Sequence, residues 1–139
     1  MPSLFTEDTY EQAITELFEN MGYNHLYAPD MDRDYSSPLL DDDLRNSLVR
    51  INRNLPIEAI DEALAKLKNF DTGSLLQKNM IFMDYLQNGI TVKFFVKGEE
   101  KASIVRLIDY QNIKGNSFYV VNQFTFLENG NNRRPDIIL

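Results

Sequence analysis

The chain has 139 residues, of which 43% are hydrophobic and 25% charged, and this balance predicts one globular domain over residues 1–139. Because it contains no cysteine, disulfide frameworks, thiolate metal sites and a cysteine nucleophile are excluded, and we expect a cytoplasmic protein. The formal net charge of −7 repels DNA phosphates, so other domains would have to supply any affinity for nucleic acid. No signal peptide is predicted, and no apolar run approaches the ~20 residues of a membrane span.

The first predicted element is an amphipathic helix between Thr6, a suitable N-cap, and Gly22, a suitable C-terminal glycine. Its apolar residues follow the spacing of one buried face: Tyr10, Ala13, Ile14, Leu17, Phe18 and Met21. Glu7 and Glu11 lie one turn apart on a ridge that borders this face. We therefore expect Glu11 to face a cleft.

A short strand at residues 25–27 and a turn-rich loop to residue 37 follow the helix. Asp30, Asp32 and Asp34 resemble the start of a calcium loop, but the glycine and glutamate that complete that pattern are absent, which favours a solvated loop. His25 is the single histidine of the chain. Since no other ligand clusters with it in the sequence, a structural role is favoured over catalysis or metal binding.

Three helices and then a series of strands complete the predicted order. The helices are expected at residues 38–52, beginning at Pro38, at residues 56–69, and at residues 74–87 with Ser74 as N-cap. Strands are expected at residues 90–96, 102–108, 118–127 and 135–139, with turns at residues 97–100 and 129–132. This order predicts an α/β fold with α+β-like segregation and a mostly antiparallel sheet.

The remaining chemistry is that of carboxylates. No nucleotide-binding motif and no nucleophile elbow is present. Asp136 follows Pro135 at the mouth of the last predicted strand, where a carboxylate can hold a divalent metal, and Glu11 is the second candidate. The alternatives are a solvated helix face for Glu11 and a strand cap for Asp136, and spacing alone favours these alternatives.

Several blocks of sequence, in order along the chain, resemble the start of the restriction (R) subunits of type I restriction–modification enzymes. The resemblance includes residues 5–12 (FTEDTYEQ), 17–23 (LFENMGY), 30–35 (DMDRDY), 55–56 (LP), 67–75 (LKNFDTGSL), 82–89 (FMDYLQNG), 121–126 (VNQFTF) and 134–137 (RPDI). It therefore covers essentially the whole chain.

This resemblance implies a nuclease domain of the PD-(D/E)xK type, in which a helix packs on a mixed sheet, here with a helical insertion at about residues 38–88. Asp136 matches the PD of the motif, and Glu11 matches the helix acid, with Glu7 as the second choice. Both Asp136 and Glu11 would be catalytic and would bind Mg²⁺. The E-x-K half would follow Leu139, so we expect a domain truncated at its C-terminal strand and inactive alone.

The resemblance also implies the reaction and partners of a parent subunit. The parent would be a type I site-specific deoxyribonuclease that cleaves double-stranded DNA while a separate motor uses ATP to translocate it. Methylation and specificity subunits would be its partners. DNA recognition by another subunit would explain how a chain with a net charge of −7 can act on DNA. Arg133 and Arg134 could contact a phosphate, although two arginines in a turn are also compatible with simple solvation. The alternative function is a non-catalytic docking module built on the helical block.

Overall fold

The computed structural model describes residues 6–37, 39–70 and 73–139, and it is a mixed α/β protein, as predicted. The helices are α1 (Glu7–Asn20), α2 (Asp41–Ile51), α3 (Ile57–Lys68) and α4 (Leu75–Asn88). The strands are β1 (Asn24–Tyr27), β2 (Ile90–Val96), β3 (Glu99–Val105), β4 (Tyr119–Asn122), β5 (Phe126–Glu128), β6 (Asn131–Arg133) and β7 (Ile137–Ile138). None of the helices in these ranges is long and apolar enough to cross a membrane.

The chain divides into two compact units. The first combines the segment up to Leu40 with Ser117–Leu139, and the second is Asp41–Asn116. The second unit is therefore inserted in the sequence between β1 and β4. It extends beyond the predicted helical insertion at residues 38–88, because the hairpin of β2 and β3 packs on α3 and so belongs to the same core.

The first unit contains a three-stranded sheet in the order β1-β4-β7. β1 runs parallel to β4, with His25 opposite Val120, and β7 runs antiparallel to β4, with Ile138 opposite Val121. The predicted antiparallel character is confirmed, since three of the four pairings between described strands are antiparallel. The prediction of one sheet is wrong, because these strands form this mixed sheet and two separate hairpins, β2-β3 and β5-β6.

Helix α1 has the predicted ends but not the predicted buried face. Thr6 caps its start by accepting a hydrogen bond from the backbone N–H of Thr9 at 3.2 Å. Tyr10 and Leu17, assigned to the buried face, are 60% and 57% exposed, whereas Thr15 is buried. Of the predicted face only Phe18 is half-buried, and its ring packs edge-on against Tyr23. Glu11 turns inward because the end of β4 presents amide groups to it.

The strand predicted at residues 118–127 is also wrong. It is interrupted after β4 by Gln123, whose φ of 56° is left-handed and takes the chain out of β geometry. β5 begins only at Phe126 and pairs with β6 through the predicted turn, in which Asn129 and Gly130 have φ of 51° and 78°. Such values are typical of a type I′ hairpin turn.

The second unit is built on an apolar core between helices and a hairpin. Its fully buried side chains include Leu48 from α2, Ile60 from α3 and Val92 from β2. Pro38, the predicted start of the second helix, lies outside the described residues, and α2 begins at Asp41. α4 begins with the predicted Ser74 cap, yet none of its described side chains is buried.

The loop between β1 and the second unit is held by side-chain contacts. The guanidinium of Arg33 donates to the Thr125 carbonyl and lies over the Phe124 ring, 3.8 Å from its centroid. The Asp34 carboxylate accepts hydrogen bonds from the Ser36 hydroxyl and backbone N–H, which lower the pKa of Asp34. Asp34 thus stabilises a local turn, and this turn lies in the loop for which the sequence favours a solvated role over calcium binding.

Candidate active site

A cavity of about 630 Å³ lies in the first unit, between α1 and the ends of β1, β4 and β7. Its wall is rich in carboxylates, which are those of Glu7, Asp8, Glu11, Glu16, Glu19 and Asp136. The wall also contains the basic side chains of Arg134 and His25. The cavity is therefore acidic, and its wall includes both Glu11 and Asp136, which lie near opposite ends of the sequence.

Glu11 is held by amide groups at the end of β4. Its two carboxylate oxygens accept separate hydrogen bonds, from Asn122 Nδ2 at 2.9 Å and from Gln123 Nε2 at 2.8 Å. A carboxylate has about four lone-pair sites, so each oxygen keeps acceptor capacity for a further ligand. Glu11 is half-buried, and these bonds fix both its rotamer and the plane of its carboxylate.

The left-handed conformation of Gln123 makes this double contact possible. Successive side chains of a regular strand point to opposite faces of the sheet, so Asn122 and Gln123 would not reach the same carboxylate. The break at Gln123 redirects its side chain toward Glu11. Its backbone N–H donates to the Asp136 carbonyl at 2.9 Å, which ties the residue before β7 to the same corner of the site.

His25 is the next member of the hydrogen-bonded chain. Its Nε2 lies 2.8 Å from Asn122 Oδ1, and its Nδ1 lies 3.9 Å from a carboxylate oxygen of Glu19. Because the Asn122 amide nitrogen donates to Glu11, its oxygen must be the acceptor, and so His25 Nε2 carries the proton. The structural role favoured by the sequence thus has a specific partner, at the wall of the cavity.

Two of the carboxylates in the cavity wall, those of Glu11 and Asp136, are oxygen donors of the kind that hard divalent cations take. Mg²⁺ is commonly held by one or two carboxylates, with water and substrate phosphate completing its shell, and Glu11 and Asp136 line one space. Thr15 Oγ1 is buried at the same wall and has no hydrogen-bond partner among the described residues, which leaves it available to a water or ligand. No cluster of three or more histidine or acidic side chains suited to a metal occurs in the described ranges.

The other predicted site residues separate into two groups. Arg134 lines the cavity, whereas Arg133 is on β6 and pairs with Glu128 at 3.3 Å within the hairpin. Glu7, the second choice for the helix acid, also lines the cavity but lies on the exposed first turn of α1. The geometry distinguishes Glu11 from Glu7 by the two amide donors, while the roles assigned to all these residues stay predictions.

Sequence reasoning missed Asn122 and Gln123. The available signal was a pair of amide residues directly after the apolar residues of β4, at the end of a strand and beside no turn glycine. Their partner is more than a hundred positions away in the sequence, since the hydrogen bonds to Glu11 span separations of 111 and 112 residues. Only the fold shows that they face an acid.

The fold and the site define an α/β protein in which a helix lies over a mixed sheet and covers a carboxylate-lined cavity. Comparison with known families is more specific. Residues 4–139 match the family described as type I restriction enzyme R protein N terminus, and the chain belongs to this family. The match confirms the resemblance found in the sequence.

Two curated relatives extend over nearly the whole chain. The type I restriction enzyme HindI endonuclease subunit of Haemophilus influenzae is 28% identical over 97% of this chain. A protein of Methanocaldococcus jannaschii, named "Putative type I restriction enzyme MjaIXP endonuclease subunit", is 30% identical over 93% of it. The chain spans only 14% and 13% of the lengths of these relatives. No solved structure matches the chain.

Proposed function

We propose that this chain is the N-terminal part of the nuclease domain of a type I restriction endonuclease subunit and contributes Glu11 and Asp136 to a Mg²⁺-dependent site that cleaves DNA. The observation that carries the proposal is the meeting of these two acids in one cavity, together with the family to which the chain belongs. The core would be of the PD-(D/E)xK type, with Asp136 supplying its first acid.

The residues of the chain have distinct parts in this proposal. Glu11 and Asp136 would hold the ion, which when bound would activate water and neutralise charge on the scissile phosphate. Arg134, which lines the same cavity, would pair with a phosphate oxygen of the DNA. Double-stranded DNA and the methylation and specificity subunits would be the partners, with ATP used by a motor elsewhere in the subunit.

The test is cleavage by a full-length subunit that carries this domain, assembled with its partner subunits. Asp136→Ala should abolish cleavage and leave ATP hydrolysis unchanged, because only the metal site loses a charged ligand. Glu11→Ala should reduce cleavage less severely. Asp32→Ala is the control, since Asp32 is an exposed acid of the same unit outside the cavity wall. Cleavage by the Asp136→Ala assembly at the wild-type rate would overturn the proposal.

The 139-residue chain alone should not cut DNA. Within the described residues the cavity wall contains no lysine, so no ammonium group is present to orient an attacking water. Plasmid incubated with Mg²⁺ and a high concentration of the chain should stay supercoiled. Nicking that co-elutes with the chain and disappears in Glu11→Ala would contradict this account of an incomplete site.

A docking role is a second candidate, favoured by the exposed apolar side chains of α4. Leu75, Leu76 and Met80 are 76%, 69% and 64% exposed. Exposed apolar side chains grouped on one helix are typical of a surface that binds another protein. The partner would be the motor or the methylation subunit of the same assembly. Leu76→Asp combined with Met80→Asp should then abolish co-purification with these subunits while the circular dichroism of the chain stays the same. Unchanged co-purification would exclude this surface.

A further inference from the structure

We propose that Asn122 and Gln123 are positioning residues for the Glu11 carboxylate, and that His25 holds the Asn122 amide in the orientation this requires. The expected effect on metal affinity rests on the proposed function, whereas the hydrogen bonds themselves are read from interatomic distances. The donors lie 2.9 Å and 2.8 Å from the two oxygens of one carboxylate, and the histidine nitrogen lies 2.8 Å from the Asn122 oxygen.

The hydrogen bonds of Asn122 fix the orientation of its side-chain amide. An asparagine amide can present either its oxygen or its nitrogen to a neighbour, and only the nitrogen is compatible with a carboxylate. The hydrogen bond to His25 Nε2 selects that orientation, because the Asn122 oxygen must then face His25. Without His25, the amide could rotate and place a second oxygen against Glu11.

The backbone conformation of Gln123 is energetically unfavourable. A left-handed glutamine is uncommon, and such residues persist where surrounding contacts determine them. Here those contacts are the side-chain bond to Glu11 and the backbone bond from Gln123 to the Asp136 carbonyl. One residue therefore links the helix acid to the backbone of the strand acid, and this couples the positions of the two proposed metal ligands.

The amide hydrogen bonds leave the Glu11 carboxylate able to bind a further ligand. Each Glu11 oxygen accepts one amide hydrogen bond and retains capacity on its other side. Partners of this kind around metal ligands fix ligand orientation, and their loss typically lowers metal affinity or activity by ~10-fold to ~100-fold. We expect an effect at the lower end for each amide, since either one alone still restrains Glu11.

The first experiment observes the network directly, without metal. In the 139-residue chain, the side-chain NH₂ signals of Asn122 and Gln123 are followed by ¹⁵N NMR. Glu11→Ala should move both signals toward the positions of solvated amides, and His25→Leu should move that of Asn122. Gln12 provides the matched control, since it is next to Glu11 on α1 but donates to Glu16. If Glu11→Ala leaves both signals in place, the positioning proposal is overturned.

The second experiment measures Mn²⁺ affinity by water-proton relaxation in the same chain. Asn122→Leu and Gln123→Met should each weaken binding by ~10-fold. Asn20→Leu, which replaces an exposed amide of α1 outside the cavity wall, should match the wild type. His25→Leu should also weaken binding, whereas His25→Gln, which retains a donor, should restore it; a purely structural role predicts no such rescue. Circular dichroism and melting curves show that each variant is folded.

The two experiments separate the failure of this inference from that of the proposed function. If Glu11→Ala and Asp136→Ala bind Mn²⁺ as the wild type does, the proposed metal site is refuted, and the NMR result alone decides whether Glu11 is positioned. If those two variants lose Mn²⁺ while Asn122→Leu and Gln123→Met keep full affinity, the metal site stands and the positioning role is overturned.

Discussion

The side chain of Asn52 hydrogen-bonds to the backbone of two other segments of the second unit. It is 8% exposed, and its Nδ2 donates to the carbonyls of Leu48 at 2.8 Å and Arg106 at 2.9 Å, while its Oδ1 accepts from the Arg106 backbone N–H at 2.8 Å. Arg106 directly follows β3. The Asn52 side chain pairs with both the N–H and the carbonyl of Arg106, as the backbone of a neighbouring strand would. Asn52 thereby ties the end of α2 to the hairpin.

We expect Asn52→Ala to lower the free energy of unfolding by about 3 kcal/mol. The Leu48 carbonyl keeps one partner, the backbone N–H of residue 52, so its loss is small. The two Arg106 backbone groups lose their Asn52 partners, and each unpaired buried group costs ~1–3 kcal/mol. Because the Arg106 residue is exposed, water reduces this cost toward the lower part of the range. The corresponding fall in Tm is ~10 °C.

Urea and thermal unfolding, followed by circular dichroism, measure this loss, and Asn54→Ala is the control because Asn54 is exposed in the same turn. The control should lie within ~0.5 kcal/mol of the wild type. Asn52→Asp should be at least as damaging at neutral pH, since a carboxylate cannot donate, and should recover partly in acid as the introduced carboxyl becomes protonated. If Asn52→Ala is no less stable than Asn54→Ala, the side-chain pairing carries no net stability.

Two further predictions concern local structure. Ser74 and Gln77 exchange hydrogen bonds in a capping box at the start of α4, and Ser74→Ala removes it. The substitution should lower the free energy of unfolding by ~1 kcal/mol and accelerate hydrogen exchange in the first turn of α4, as measured by NMR. Unchanged exchange would contradict this role. Ser36→Ala should raise the pKa of Asp34 toward its ordinary value, because the hydroxyl is the main cause of its depression. Since the pKa of Asp34 is lower in the folded state, the stability it contributes is present at neutral pH and is lost only as the pH falls through that lowered pKa; an NMR titration of both forms measures the difference.

The elements that the sequence predicted well are those with local signals. The caps at Thr6 and Ser74 and the turn at Asn129 and Gly130 depend on residues within a few positions of each other, and all three are confirmed. Hydrophobic periodicity also located the helices. These features need no knowledge of what lies across the fold.

The failures have one physical origin, which is that tertiary partners decided the local outcome. Periodicity identified the apolar stripe of α1, but it could not tell which stripe would meet the sheet, and the sheet offered amides to Glu11. Propensity indicated one long strand over residues 118–127, because Phe, Tyr and Val dominate it. The interruption at Gln123 brings its side chain to Glu11 and its backbone to Asp136, neither of which is near it in the sequence.

The candidate site joins segments that the second unit separates in sequence. Glu11 and His25 precede that unit, whereas Asn122, Gln123 and Asp136 follow it. Closing a loop of this length costs little more than closing a shorter one, because the entropy grows only with the logarithm of length. The parallel pairing of β1 with β4 supplies the contacts that offset this cost and sets His25 near the end of β4. The metal affinity proposed for Glu11 should therefore depend on the pairing of these strands, which makes the proposed site a consequence of the first unit's long-range folding and not of any local motif.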